Sequence, residues 1–412
     1  MNITFLLGNG FDIGIGMPTQ YEDFYKEYCK EQKTDNDNIR AFKQMLKKRN
    51  QDEVKKIIDW ADFEKAFGEH STAPELEGKA AYLERFEHFI ESFNTYLERV
   101  EEALDYSDMD GIAKTMDSAM KSFYHIRKGD RNSIANFMNQ FSSSRMYSFV
   151  TFNYTRTVDK CVDALREYIK TDSTRKIGSV THIHGFVDEN MIVGVNDATQ
   201  ILNEQFAKDP DVVRELVKPQ QNENSRTAYE DAMISAINNS SIICTYGMSI
   251  GETDKKWWIK VADWLSKDSR RVLIILVHSK DYNPRFPHKQ DQLIRPITDK
   301  FLSFSNLSDA DKERIQNRIY VGVNNDVFAM NLYPANAKTH PSVRKIDPNM
   351  IFAGDVPPEE SGLPHKEGQV YLQRLVETAA PVIQAIEGNE SHKAKVDYID
   401  QHNGELPEIT VV

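Results

Sequence analysis

Residues 2–7 (NITFLL) run straight into Gly8-Asn9-Gly10-Phe11-Asp12, and Gly14, Gly16, Met17 and Pro18 follow. A short apolar strand that ends in glycines and opens a helix is the junction at which an α/β sheet receives a phosphate. Glycine lets the backbone approach a ligand, and the helix start offers unpaired N–H groups and the positive end of its dipole. The stretch predicts a nucleotide pocket at the C-terminal edge of a parallel sheet. Its spacing departs from the dinucleotide fingerprint GxGxxG, because position 13 is Ile.

Working outward, Tyr21 to Cys29 reads as a helix with aromatics along one side. From about Asn36 to Asn139 the pattern is helical and charged, with helices expected over Ile39 to Arg49, Asp52 to Phe67, Glu75 to Leu104 and Asn132 to Phe141. Strand signals return at Met146 to Phe152, Ser179 to His184, Met191 to Val195, Ser241 to Tyr246, Arg271 to Val277 and Arg318 to Val323. Helices are expected between them at Thr155 to Tyr168, Tyr229 to Asn238 and Thr253 to Leu265. Strands alternating with helices predict an α/β fold: a mainly parallel, Rossmann-like sheet with helices on both faces, plus an all-helical insertion. The expected division is 1–35 and 141–333 for the nucleotide-binding core and 36–140 for the insertion. A C-terminal extension over 334–412, rich in Pro, Gly, Asn and Asp, carries a helix near Gly368 to Ile386.

The totals narrow the classes. The chain has 412 residues, 40% apolar and 28% charged, which suits a soluble globular protein with a large core. A net charge of -12 argues against nonspecific nucleic-acid binding. Cys29, Cys161 and Cys244 lie far apart, which supports neither a thiolate zinc site nor a disulfide framework. The N-terminus reads as no secretory signal, and no apolar run reaches membrane-spanning length, so a cytoplasmic location is expected.

Three further segments carry chemistry. Thr151-Phe152-Asn153-Tyr154 ends a sheet strand, so Asn153 caps the next helix or hydrogen-bonds a sugar hydroxyl or a water. In Thr181-His182-Ile183-His184-Gly185 the two histidines would share one strand face. They read as core histidines, a general base or metal ligands, with no third ligand at convincing spacing. Tyr246-Gly247-Met248-Ser249, with Asp254 further on, is a second strand–glycine–helix junction. It reads as a helix cap or as a wall against the adenosine half of a nucleotide.

Together these segments resemble the sirtuin-like NAD-binding superfamily. Its first loop is matched by Gly8, Gly10, Gly16, Met17 and Pro18, and its Thr-any-Asn motif by Thr151-Phe152-Asn153-Tyr154, with Thr155 where an Asp is usual. Its His-Gly pair is matched by His184-Gly185 and its glycine–serine loop by Gly247 to Ser249. More narrowly, Gly8-Asn9-Gly10-Phe11-Asp12, Phe152-Asn153-Tyr154-Thr155 and His182-Ile183-His184-Gly185 are similar to the bacterial abortive-infection AbiH family, as are Trp60, Asp62 and Glu64. That family is associated with defence against phage. Deacetylating sirtuins carry a four-cysteine zinc module where this chain has Cys244 alone, which argues against peptide deacylation.

The resemblance implies an anti-phage effector that binds NAD and hydrolyses it to nicotinamide and ADP-ribose. Asn153 would orient a water or the ribose hydroxyls, and His184 would act as general base. Gly8, Asn9 and Gly10 would bind the diphosphate, and Gly16 and Pro18 complete that loop. Asp12 would sit near the nicotinamide ribose or cap the helix. Phe11 or Tyr154 would stack on the leaving ring or pack the pocket, and Tyr246, Gly247, Ser249 and Asp254 would form the adenosine wall. No metal is expected. By the same resemblance the chain self-associates or answers a phage-derived trigger. Three other functions compete: a regulatory module that binds NAD or ADP-ribose without turnover, a metal-dependent nuclease or hydrolase using His182, His184, Asp188 or Asp197, and a structural partner. For the last, Trp257-Trp258 and the aromatic helix at Tyr82, Phe86 and Phe89 would form an interface rather than core.

Overall fold

The computed structural model describes residues 1–30, 35–51, 57, 60–121, 126–141, 144–224, 228–251, 254–279, 282, 285–286, 289–323 and 327–333. They all belong to one compact unit, Met1–Arg344. The helix expected at Gly368 to Ile386, the 334–412 extension and the first residues of the helix expected from Asp52 lie outside the described residues.

The chain opens with β1 (Asn2–Leu7), a five-residue α1 (Gly10–Gly14) and α2 (Tyr21–Tyr28). Among the described residues only helices follow: α3 (Asp37–Gln51), α4 (Trp60–His70), α5 (Gly78–Glu102), α6 (Met109–Lys121) and α7 (Lys128–Met138). Then come β2 (Arg145–Thr151), α8 (Thr157–Tyr168) and β3 (Arg175–His182). Three short helices, α9 (Glu204–Ala207), α10 (Pro210–Leu216) and α11 (Lys218–Asn224), precede α12 (Tyr229–Asn239). The last elements are β4 (Ile242–Tyr246), α13 (Lys255–Lys267), β5 (Val272–Val277), α14 (Gln290–Phe304), α15 (Asp309–Gln316) and β6 (Ile319–Val323).

The six strands are parallel and run in the order β3-β2-β1-β4-β5-β6. This is the doubly wound order, in which the direction of winding reverses between β1 and β4 and leaves a crevice beyond the strand ends. The Rossmann-like α/β expectation therefore holds. The register makes the crevice sharp. Leu7 pairs with Thr151 and Tyr246, Thr151 with His182, and Tyr246 with Leu276, so five strands finish at one level. Whatever follows each strand is delivered to the same edge.

Alternation along the strands builds two cores. Phe5, Leu7, Phe149, Cys244 and Ile274 face one side, beneath the aromatic helices α2, α4 and α5. Leu6, Val150, Ile243, Leu273 and Ile275 face the other, beneath α12 to α15. Both faces are covered, which is why β1, β4 and β5 read as continuous apolar runs. The aromatic residues of α4 and α5 interleave, with ring centroids 3.9 Å apart for Phe63–Phe89 and 4.3 Å for Trp60–Phe93. Trp257, Trp258, Tyr82, Phe86 and Phe89 are all buried, so the described packing uses them as core.

Two expectations are corrected. Residues Met191 to Val195 form no strand of the sheet. Val195 instead pairs with the segment between α10 and α11, donating its N–H to Leu216 O and accepting from Lys218 N–H. The strand expected from Ser179 begins at Arg175. As β3 it pairs with only one neighbour, and its half-exposed, charged start hides the strand pattern.

A candidate ligand cavity at the switch point

Beyond the strand ends lies a cavity of about 780 Å³, within the range of small-molecule sites. Gly8 and Asn9 contribute from the turn after β1, Gly10 and Asp12 from α1, and Asn153, Tyr154 and Thr155 from the loop after β2. His184 follows β3, and Gly247, Ser249 and Asp254 follow β4. The cavity therefore brings together ten of the fourteen residues given catalytic or binding roles from the sequence, with Thr155 beside them. Phe11, Gly16, Pro18 and Tyr246 lie elsewhere. Phe11 and Tyr246 are buried against Phe328, at 5.4 and 4.9 Å between ring centroids. Gly16 turns beside Tyr333 with φ at +93°, and the Pro18 carbonyl accepts from the Tyr96 hydroxyl at 2.6 Å.

The two glycine loops interlock. Gly8 N–H donates to Tyr246 O and Gly10 N–H to Gly247 O, each at 2.9 Å. A Cβ on Gly10 would stand 2.4 Å from Gly247 Cα, so the close approach itself demands glycine. The side-chain space of Gly8 is likewise taken, by Gly247 O at 2.7 Å and Met248 Cγ at 2.8 Å, so the two glycines serve here to let the loops close on each other. Asn9 is likewise occupied: its Nδ2 donates to Thr19 O at 2.8 Å, and Thr19 Oγ1 donates to its Oδ1 at 2.6 Å.

Asn153 stands out electrostatically. It is 4% exposed, yet neither its Oδ1 nor its Nδ2 has a hydrogen-bond partner. Asp12, 1% exposed, accepts from Thr155 Oγ1 at 2.8 Å through Oδ2, while its Oδ1 is unpaired. Burial pushes the Asp12 carboxyl up to about 7, against the opposing pull of Thr155 and nearby Asn153.

At His184, Nε2 lies 3.7 Å from Asp254 Oδ1, an ion-pair separation, and Nδ1 is unpaired. Phe152 and Tyr154 flank the imidazole at 5.6 and 6.2 Å. Burial alone would raise Asp254, but His184 and the Lys218 ammonium outweigh it and hold the carboxyl below its usual range. Lys218 itself sits 2.7 Å from Glu64 in a buried ion pair on the cavity wall. Burial raises Glu64 despite that partner. It also raises the Tyr154 hydroxyl well above its ordinary value; that hydroxyl donates to Ile192 O at 3.1 Å.

His182 does not join His184. The chain leaves β3 after His182, whose Nε2 meets Asp159 of α8 at 2.7 Å, away from the cavity wall. Asp188 N–H donates to Asn94 Oδ1 on α5, and Asp197 caps the 3-10 turn Ala198–Gln200. Among the described residues no group of three or more His, Cys, Asp or Glu side chains is arranged to hold a metal ion. None of the described helices is long and apolar enough to cross a membrane.

The sequence reading missed parts of the wall. Lys218 comes from a short helix without a periodic pattern. Gln292, Leu293, Pro296, Ile297 and Lys300 come from α14, whose internal Pro296 breaks the helical signal. His278 and Ser279 follow β5, which by its position had to deliver residues to the same edge.

Fold and cavity together define a doubly wound α/β protein with a cavity at its topological switch point, lined by both polar and apolar side chains. Residues 4–276, about two thirds of the chain, match the family model described as bacteriophage abortive infection AbiH, and the chain belongs to that family. Membership points to a role in abortive infection by phage. No curated protein matches the chain.

Proposed function

We propose that the chain is an abortive-infection effector that binds NAD in the switch-point cavity and hydrolyses it to nicotinamide and ADP-ribose, in the manner of sirtuin-like NAD-binding proteins. The observation that carries the reading is the Asn153 amide, buried with both polar atoms unpaired in the cavity that also holds His184. Buried polar groups are nearly always satisfied, so an orphaned amide in a cavity is an argument for a ligand that completes it.

In the reaction the bond from ribose C1′ to the nicotinamide nitrogen breaks, and its electron pair leaves with neutral nicotinamide. A water oxygen bonds to C1′. Asn153 orients that water or the ribose hydroxyls. His184 takes the water's proton and passes it to solvent, a task that suits an imidazole near neutral pH. Asp254 holds the imidazole from its Nε2 side. Tyr154, Phe152 and Trp60 supply the apolar surface for a planar ring.

The test is nicotinamide release from NAD, followed by mass spectrometry with purified protein and in cells with and without phage challenge. Asn153→Ala and His184→Ala are each expected to slow release by about 10²- to 10⁴-fold. Undiminished release in both variants, or an untouched NAD pool in challenged cells, would overturn the reading. Ligand retention without nicotinamide would leave a binding module.

A further inference from the structure

The cavity carries most of its charges in pairs. Glu64 stands against Lys218 and Asp254 against His184. Lys300 of α14 and His278, which follows β5, line the same cavity and are exposed. Among the described residues no carboxylate pairs with either of them. Lys300 comes one turn after Pro296 and two after Gln292, so the three present one face of α14 to the cavity.

Strand order gives this side its meaning. Asn153 and His184 follow β2 and β3, on one side of β1, whereas β4 and β5 lie on the other. Three strand spacings, about 14 Å, separate β2 from β5. A dinucleotide covers that span. With its nicotinamide ribose beside Asn153, its adenosine ribose falls beside Ser249 and His278. At that ribose a site selects NAD with a carboxylate on the 2′-hydroxyl and NADP with a cation near the 2′-phosphate. Among the described lining residues after β4 and β5 the one carboxylate is Asp254, which faces His184. An ammonium and an imidazole are left over.

We propose that Lys300 and His278 receive the 2′-phosphate of the adenosine ribose, so that the cavity prefers NADP to NAD. The inference rests on the NAD reading and narrows its substrate to the phosphorylated dinucleotide. A phosphate monoester carries about 1.5 to 2 negative charges at neutral pH. Lys300 Nζ offers it a point charge with three donors, and the His278 imidazole donates an N–H in either protonation state. The bare hydroxyl of NAD forms no such ionic contact there. The net charge of -12 opposes the more anionic ligand, so a preference for it needs a local cation. Both residues lie past residue 276, where the match to the family model ends.

The test uses carbocyclic NAD and carbocyclic NADP, in which a methylene replaces the ring oxygen of the nicotinamide ribose so that the bond to nicotinamide survives. Binding of each is measured by calorimetry on the full chain, on Lys300→Ala and on Lys300→Ala combined with His278→Ala. The wild type is expected to bind the NADP compound on the order of 10-fold more tightly, and the double variant to bring the ratio close to one. A ratio near one in the wild type overturns the phosphate subsite and leaves the NAD reading standing. A ratio that survives in the double variant overturns the assignment to Lys300 and His278. Binding of neither compound overturns both readings. The wild-type comparison needs no variant, so a misfolded variant cannot hide the outcome.

Discussion

Gly10 N–H donates to Gly247 O at 2.9 Å, and this bond ties the loop after β1 to the loop after β4 across the point where the sheet reverses its winding. Space there is so short that Gly247, with φ at +66°, would place a Cβ 2.6 Å from Gly10 Cα. Gly10→Ala should therefore destabilise the fold by roughly 1–3 kcal/mol through overpacking. Gly247→Ala should cost more, because it adds a left-handed backbone to the clash. Gly129 in α7 has open space around its Cα, so Gly129→Ala should be neutral or stabilise by about 0.5–1 kcal/mol. Urea unfolding of the three variants checks the order.

Asp12 sets a pH dependence. Its carboxyl is raised from 3.8 to about 7 in the folded chain, mainly by burial, with Glu101 adding to the rise and His182 opposing it. The folded state therefore holds a proton that the unfolded state has lost. Stability contributed by this group is full below about 4, declines as pH rises toward 7 and is flat above. Asp12→Asn should abolish that decline, so the variant gains on the wild type between pH 5 and 8, by an amount on the order of a few kcal/mol. The difference in melting temperature between the two proteins across that range measures it, and a constant difference refutes it.

Glu64 and Lys218 form a pair buried at 7% and 9% side-chain exposure. Lys218→Met would strand the carboxylate, at a cost of about 3–5 kcal/mol. Adding Glu64→Leu to the same chain should restore most of the loss, since the uncompensated charge is then gone. Thermal unfolding of the single and double variants decides this. A double variant no better than the single one would mean that packing, not charge, holds this wall.

Asn9 and Thr19 exchange two hydrogen bonds that close the glycine loop on itself, and Thr19 is 3% exposed. Asn9→Ala should cost about 1–3 kcal/mol by leaving the Thr19 hydroxyl unpaired. Because the Trp60 indole still donates to Thr19 O, the loop should loosen rather than unfold. Faster amide exchange confined to residues 9–19 is the expected signature.

The sheet was legible because its central strands are apolar on both faces. Asn153 and His184 could be found for the same reason: each follows a strand end, and parallel strands of common register bring such positions to one edge. Lys218 could not. Its partner Glu64 is 154 residues away, and neither carries a local signal that they will meet. Met191 to Val195 misled because an apolar run does not say whether its backbone will pair with a strand or, as here, with the turn between two short helices. His182 and His184 parted company because alternation applies only while the strand lasts, and β3 stops at the first of them.

Pro296 sits inside α14 with Gln292 one turn before it, both on the cavity wall. Proline has no N–H, so the helical bond to the Gln292 carbonyl cannot form, and the helix is weakened there. One part of the cavity wall is thus a rod with a built-in joint, whereas the glycine loops that line the same cavity are tied to each other by hydrogen bonds.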